Sequence, residues 1–302
     1  MENKLDSVQK DIIKTVNEPT YPKWYQIPMM EWLLLILPLV YIFIFLGISL
    51  AGLLRLSVYD ETGFTLEYIT RFFTEEVYRK VLLNTFKISL YVTIICLLLG
   101  YPVAYFLVKT QSKKVKDIVI GIVFISFWIS LLVRTFSWMI ILRSNGVINQ
   151  ILIGIGIIDE PIKILYNTTG VVIGMTHILL PYMILVAYSS MIKIDLRLIQ
   201  AAQGLGAKSW KAFMNIFLPL SLPGVFSGSL IVFVMSIGYY VTPSILGGSN
   251  NTMVGELISD QVSVVLNWNF AATLSIILLI ATFILLGVSA IFANTSFSKG
   301  RN

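Results

Sequence analysis

The sequence predicts an all-α protein that crosses a membrane six times, and three observations predict it. Of its 302 residues, 57% are apolar and only 13% are charged, about half the share in an ordinary soluble domain. The mean hydropathy is +0.84. Six apolar runs each approach the roughly 20 residues that a helix needs to cross hydrocarbon. The runs are continuous, so they are not the alternating strands of a barrel, and helices satisfy their own backbone groups as lipid demands.

The first span covers residues 32–54 and contains no charge. The second covers 88–108. The third starts at residue 118, ends near 142 and is interrupted by Arg134. The fourth covers 171–192, the fifth about 222–242 and the sixth about 272–292. This divides the chain into an N-terminal tail (1–31), a six-helix membrane domain (32–292) with a polar loop at 193–221, and a C-terminal tail (293–302).

Charge sets the orientation. With the N-terminus in the cytoplasm, the cytoplasmic segments 1–31, 109–117, 193–221 and 293–302 hold 14 Lys or Arg. The outside segments 55–87, 143–170 and 243–271 are longer in total yet hold 7. That is the positive-inside pattern, and it predicts both ends in the cytoplasm. Lys109, Lys113, Lys114 and Lys116 after the second span, with Lys193, Arg197, Lys208 and Lys211 after the fourth, fix the register. The net charge of +6 is therefore topology, and no nucleic-acid partner is expected. The acids Glu2, Asp6 and Asp11 argue against a cleaved signal peptide, and residues before Trp32 read as a tail or a surface helix.

Outside, residues 64–73 mix Phe64, Leu66, Tyr68, Ile69, Phe72 and Phe73 with Glu67 and Arg71. They read as a short amphipathic helix, lying at the interface or packed on the ends of neighbouring spans. Segment 143–170, with Gly146, Gly154, Gly156 and Pro161 among apolar residues, reads as a structured cap. Segment 243–271 is weakly polar, has no Lys or Arg and is free to dip toward a central cavity.

The chemistry-bearing residues are few. One Cys and one His exclude a disulfide framework and an imidazole-rich metal site. His177 lies inside the fourth span, where bonding across helices is the default for a neutral imidazole. With acid-free spans as well, a membrane enzyme is not expected. No Gly-x-x-x-x-Gly-Lys-Ser/Thr phosphate cradle occurs, so no ATP site is expected on this chain.

The most informative segment is 200–219. It divides at Gly204 and Gly206. Before them, 196–202 is expected to form a short helix with Asp195 as N-cap. After them, 209–217 is expected to form a second helix, with Trp210, Phe213 and Phe217 at helical spacing on one apolar side. Pro219 and Pro223 mark entry into the fifth span. The residues alone leave two readings, an interfacial linker or a helix–turn–helix that docks into a groove on a partner.

This segment resembles the coupling-loop signature of ABC importer permeases, which is Glu-Ala-Ala, three residues, Gly, nine residues, Ile, one residue, Leu-Pro. Ala201, Ala202, Gly206, Ile216, Leu218 and Pro219 match it, and Gln200 stands where the family has Glu. Gln keeps the size and loses the charge, so a salt bridge made by the family Glu is absent or replaced here. Residues 64–68, 99–105, 157–162, 246–248 and 267–272 are most similar to the first permease subunit of bacterial spermidine/putrescine importers. The resemblance implies a type I ABC importer permease fold and a multi-pass location in the bacterial inner membrane. It implies a second, different permease subunit, two ATP-binding subunits that carry ATP and Mg, and an extracytoplasmic solute-binding protein. It implies a polyamine cargo. An amino-acid derivative or organic anion remains an alternative, as does a secondary transporter, which would need no docking loop.

A polyamine cation calls for acids and aromatic faces. Glu256 and Asp260 are the acids of the last outside loop and the first candidates at the entrance. Trp128 and Trp138 in the third span, and Tyr239 and Tyr240 late in the fifth, are candidate wall residues or interface anchors. Arg134 is anomalous: it is costly in lipid and would repel a cation.

Overall fold

The computed structural model describes residues 28–61 and 63–299. The tails expected over 1–31 and 293–302 lie partly outside the described residues. Residues 28–31 and 293–299 already belong to helices.

The chain divides into two units, residues 1–53 and 54–302. The first holds most of α1 (Pro28–Val58), which has apolar residues on all sides and Pro38 within it. A helix without a polar face is suited to lipid or to another chain.

In the second unit a two-residue hairpin pairs Tyr59–Asp60 with Gly63–Phe64. Then come α2 (Glu67–Thr74), α3 (Glu76–Lys109), α4 (Lys113–Trp128), α5 (Leu131–Leu142) and α6 (Val147–Gly154). α7 (Thr168–Met191) and α8 (Arg197–Gly204) come next. α9 (Ser209–Ala212) runs through a π-turn (Phe213–Phe217) into α10 (Leu218–Ile237). α11 (Val241–Leu246), α12 (Val254–Ser263) and α13 (Trp268–Lys299) complete the chain. Among the described residues, six helical stretches are long and apolar enough to cross a membrane.

The centre is built from α3, α7 and α10. Ile88, Val92, Cys96, Val171, Met175, Leu179, Met183 and Val232 form one buried cluster, which Leu246 and Met253 of the last long loop enter. That loop therefore dips into the helices, held by the Val254 N–H donating to Thr85 Oγ1 at 2.9 Å and Asn84 Nδ2 donating to the Thr252 carbonyl at 3.2 Å. α2 packs rather than floats. Phe72 is buried with Tyr78, Phe270 and Leu274, which decides between the two expected positions of this amphipathic helix. The 143–170 cap is ordered by Asn149, whose side chain accepts from the Ile162 N–H at 2.9 Å and donates to the Arg143 and Ile162 carbonyls. Asn167 caps α7 by accepting from the Thr169 and Gly170 amides.

Two spans depart from the expected course. The third breaks after Trp128: Ile129 and Ser130 are non-helical, with ψ 127° and 137°. Both residue types are weak helix formers, Ile by lost χ1 freedom and Ser by competing for the backbone. The long apolar stretch restarts at Leu131 and continues through α6 to Gly154. The fifth ends at Ile237, before the expected residue 242, because Gly238 stops the helix. Tyr239 and Tyr240 thus occupy the turn before α11 rather than a helix end.

α7 and α10 touch at Gly224. A Cβ there would overlap the Ser190 side chain, whereas one on Gly287 in α13 would meet nothing within 4 Å. Gly224→Ala is expected to cost about 1–3 kcal/mol of stability, as overpacking does. Gly287→Ala is expected to be neutral or stabilising by up to about 1 kcal/mol. Thermal unfolding of the two purified variants checks the contrast, and equal midpoints would mean that the helices do not approach at Gly224.

Candidate functional site

The loop after the fourth span forms a rigid two-helix element. Asp195 Oδ1 accepts from the Arg197 N–H at 2.9 Å, the bond expected of it, one residue outside the N-cap Leu196. α8 then stops by a Schellman arrangement. The Gly206 N–H donates to the Gln203 carbonyl at 2.9 Å, and the Ala207 N–H to the Ala202 carbonyl at 3.0 Å. That geometry requires a left-handed residue, Gly206, with φ +92°, a conformation glycine adopts without strain. Gln203 Nε2 adds a bond to Ser209 Oγ at 3.2 Å across the turn. The spacing of Ala201, Ala202 and Gly206 is thus the spacing of a short helix and its stop.

The second helix is not a regular one. Its backbone widens at Phe213–Phe217, where the Leu218 N–H reaches the Phe213 carbonyl five residues back. Pro219 accounts for this. It has no N–H for the Asn215 carbonyl, and its ring crowds that carbonyl, so the turn opens into a π-bulge. Ile216 and Leu218, both half-buried, and the exposed Pro219 lie in this bulge and the first turn of α10.

The bulge divides aromatics that were expected on one side. Phe217 is buried and Phe213 partly so, against Ala104, Val108, Ala187 and Met191 of α3 and α7. Tyr105 stands edge-on to both rings at 5.0 and 4.8 Å. Trp210 instead is 62% exposed, with Leu198 and Leu205 (90% exposed). Trp210 lies in α9 before the widened turn, and Phe213 and Phe217 lie within it, stacked at 5.8 Å. The element therefore has an anchored aromatic inner face and, among the described residues, an apolar outer face without cover. Leu205, between two glycines, is the residue that sequence reasoning missed. A leucine held up by a helix stop is the signal that marks it. Gln200 and Ala201 are exposed and Ala202 is half-buried. At the joint with the spans, Tyr101 and Ser221 hydroxyls lie 3.0 Å apart, linking α3 to α10.

The candidate path residues are partly brought together. Arg134 and Trp138 share one face of α5, and the Trp138 ring stands edge-on to His177 of α7 at 5.6 Å. A Cβ on Gly255 would come within 3.1 Å of the Tyr239 carbonyl and 3.3 Å of Tyr240 Cβ, so the start of α12 abuts the tyrosine turn. Glu256 and Asp260 are one turn apart on that helix, Glu256 half-buried and Asp260 exposed. Burial, reinforced by the charge of Asp260, holds the Glu256 carboxyl above the usual carboxylate range. Trp128 stands apart, 89% exposed at the end of α4. Among the described residues no cluster of three or more His, Cys, Asp or Glu is placed to hold a metal.

Comparison with known proteins places this geometry. The family model described as "Binding-protein-dependent transport system inner membrane component" matches residues 25–300. The spermidine/putrescine transport system permease protein PotB of Escherichia coli (strain K12) is 37% identical over 217 residues, 72% of this chain and 78% of that protein. In fold, the chain is similar to a bacterial ABC transporter involved in the import of the acidic polysaccharide alginate. The TM-score is 0.68 at 18% identity, covering 91% of this chain and 99% of that one. It is also similar to a bacterial alginate ABC transporter in complex with an alginate pentasaccharide-bound periplasmic protein, with a TM-score of 0.67 at 20% identity over 88% and 95% of the chains.

Proposed function

This chain belongs to the family of binding-protein-dependent transport system inner membrane components, and from that membership we propose that it forms half of the path by which a polyamine enters the cell. It is a multi-pass permease subunit of an ABC importer in the bacterial inner membrane. The observation that carries the polyamine reading is the 37% identity, over 72% of the chain, to a spermidine/putrescine permease.

The working complex in this reading has a second, different permease, two subunits that bind ATP and Mg, and an extracytoplasmic binding protein that delivers the solute. Both termini are assigned to the cytoplasm from the charge map. The two-helix element at 193–221 then faces the ATP-binding subunits, and its exposed Leu198, Leu205 and Trp210 supply the docking face. Closure of those subunits pushes on this face. The push passes through Phe213 and Phe217 to Tyr105 of α3, and along the unbroken π-turn into α10. Gln200 meets its partner as a neutral hydrogen-bonding group.

On the other side, Glu256 and Asp260 offer negative charge beside Tyr239 and Tyr240, whose ring faces attract ammonium groups. Protein-mediated uptake of labelled spermidine into proteoliposomes tests the function. It should require ATP, the ATP-binding subunits and the binding protein. Uptake by this chain alone on an ion gradient would establish a secondary transporter instead.

Glu256→Gln is expected to raise the KM for polyamine roughly fivefold, the equivalent of about 1 kcal/mol, with little change in kcat. Because the Glu256 carboxyl titrates above the ordinary range, it loses its charge early on acidification. The wild-type KM should therefore rise as pH falls toward the carboxylate range, and the Gln variant should lack that rise. A pH-independent wild-type KM would remove Glu256 from the entrance.

A further inference from the structure

Arg134 carries a positive charge inside a membrane-spanning stretch, and the described residues leave it incomplete. Its Nε is buried and has no hydrogen-bond partner. Neither the Arg71–Glu75 nor the Lys80–Glu76 ion pair involves α5. The predicted spans contain no Asp or Glu. A buried donor without a partner is destabilising, the more so when it is charged. Such a residue faces protein or a polar cavity rather than lipid.

The surroundings say which way it faces. Trp138, one turn along α5 on the same face as Arg134, stands edge-on to His177 of α7 at 5.6 Å. His177 is exposed, although 67% of its helix's apolar window is buried. A guanidinium and an imidazole thus flank Trp138 where the packed helices are open on one side. That open polar patch is complementary to an anion.

We propose that this patch is a seat for a carboxylate of the second permease subunit, which pairs with Arg134 and locks the two permeases together inside the membrane. The proposal rests on the importer reading, which supplies the second permease. Other occupants fit less well. A polyamine is cationic and is repelled by Arg134. The binding protein and the ATP-binding subunits work outside the membrane-spanning part. Arg134 is half-exposed, and a carboxylate on a facing helix reaches the accessible nitrogens of its guanidinium and pairs with them by two hydrogen bonds.

Cysteine cross-linking in the complete, reconstituted complex tests this. Cys96, the single native cysteine, is replaced by Ser. Arg134→Cys is then combined with a cysteine at each membrane acid of the second permease in turn, and at control positions on its facing helices. One acid position is expected to cross-link on oxidation. Arg134→Gln should lower recovery of the permease pair by at least roughly tenfold, as loss of one partner of a buried ion pair does. Arg134→Glu should be rescued by Arg at the cross-linking acid. Cross-links at control positions but at no acid would overturn the proposal and leave the importer reading intact. No permease pair in any sample would overturn both. A pair that assembles normally with Arg134→Gln, but with altered KM for spermidine, would place Arg134 against the solute and overturn the proposal.

Discussion

Gly206→Val is expected to leave the spans folded and the complex assembled while lowering ATP-driven uptake by at least roughly tenfold. Gly206 has φ +92°, and an L-residue held in left-handed backbone costs about 1–2 kcal/mol, a five- to thirtyfold loss in the population of the native turn. Space is not the obstacle, since a Cβ there meets nothing within 4 Å among the described residues. The effect should track backbone preference, with Asn retaining more activity than Ala, and Ala more than Val, because Asn tolerates this region best. The turn sets the angle between α8 and α9, and hence the presentation of Leu205 and Trp210. Solute-stimulated ATP hydrolysis and uptake, measured together in proteoliposomes, check it. Hydrolysis should persist while uptake falls. If Ala and Val both transport like the parent, the Schellman turn carries no force and the lever reading is wrong.

The position of that turn was legible from the sequence because its chemistry is local. Two glycines after a short amphipathic run are enough to place a helix stop, and Asp195 before it announces the start. The six spans were legible for the same reason, since each is set by its own run of apolar residues. What the sequence concealed depends on neighbours further away. Hydropathy is blind to the break at Ile129–Ser130, because both flanks are equally apolar. The spacing puts Trp210 on one side with Phe213 and Phe217, but only the latter two find α3 and α7 to pack against, and that depends on tertiary neighbours. Glu256 and Asp260 stand out as acids, yet the approach of their helix to the Tyr239–Tyr240 turn is made at Gly255, a tertiary contact. Arg134 was legible as an anomaly only. The orphaned Nε and the neighbouring His177 needed the helices to be packed before they meant anything.

The second large effect is expected at the outer face of the same element. Leu205 is 90% exposed and Trp210 62% exposed, so neither side chain contributes much to this chain's own stability. If the ATP-binding subunit covers them, each buries apolar surface on docking, about 1.5–3 kcal/mol for a leucine, and a buried interface Trp commonly costs about 2 kcal/mol or more when truncated. Leu205→Asp adds an unpaired charge to an apolar contact, so affinity for the ATP-binding subunit should fall by at least about a hundredfold. Trp210→Ala should cost about thirtyfold. Co-purification from detergent and binding to immobilised complex measure both. The control lies one helix turn away: Phe213→Ala should instead lower the thermal unfolding midpoint, because Phe213 packs on Tyr105 and Phe217. The contrast separates docking from folding. A Leu205→Asp variant that unfolds early would show the leucine to be packed, while one that binds the ATP-binding subunit like the parent would move the docking face elsewhere. Loss of binding with an unchanged midpoint is the outcome that an anchored inner face and an uncovered outer face require.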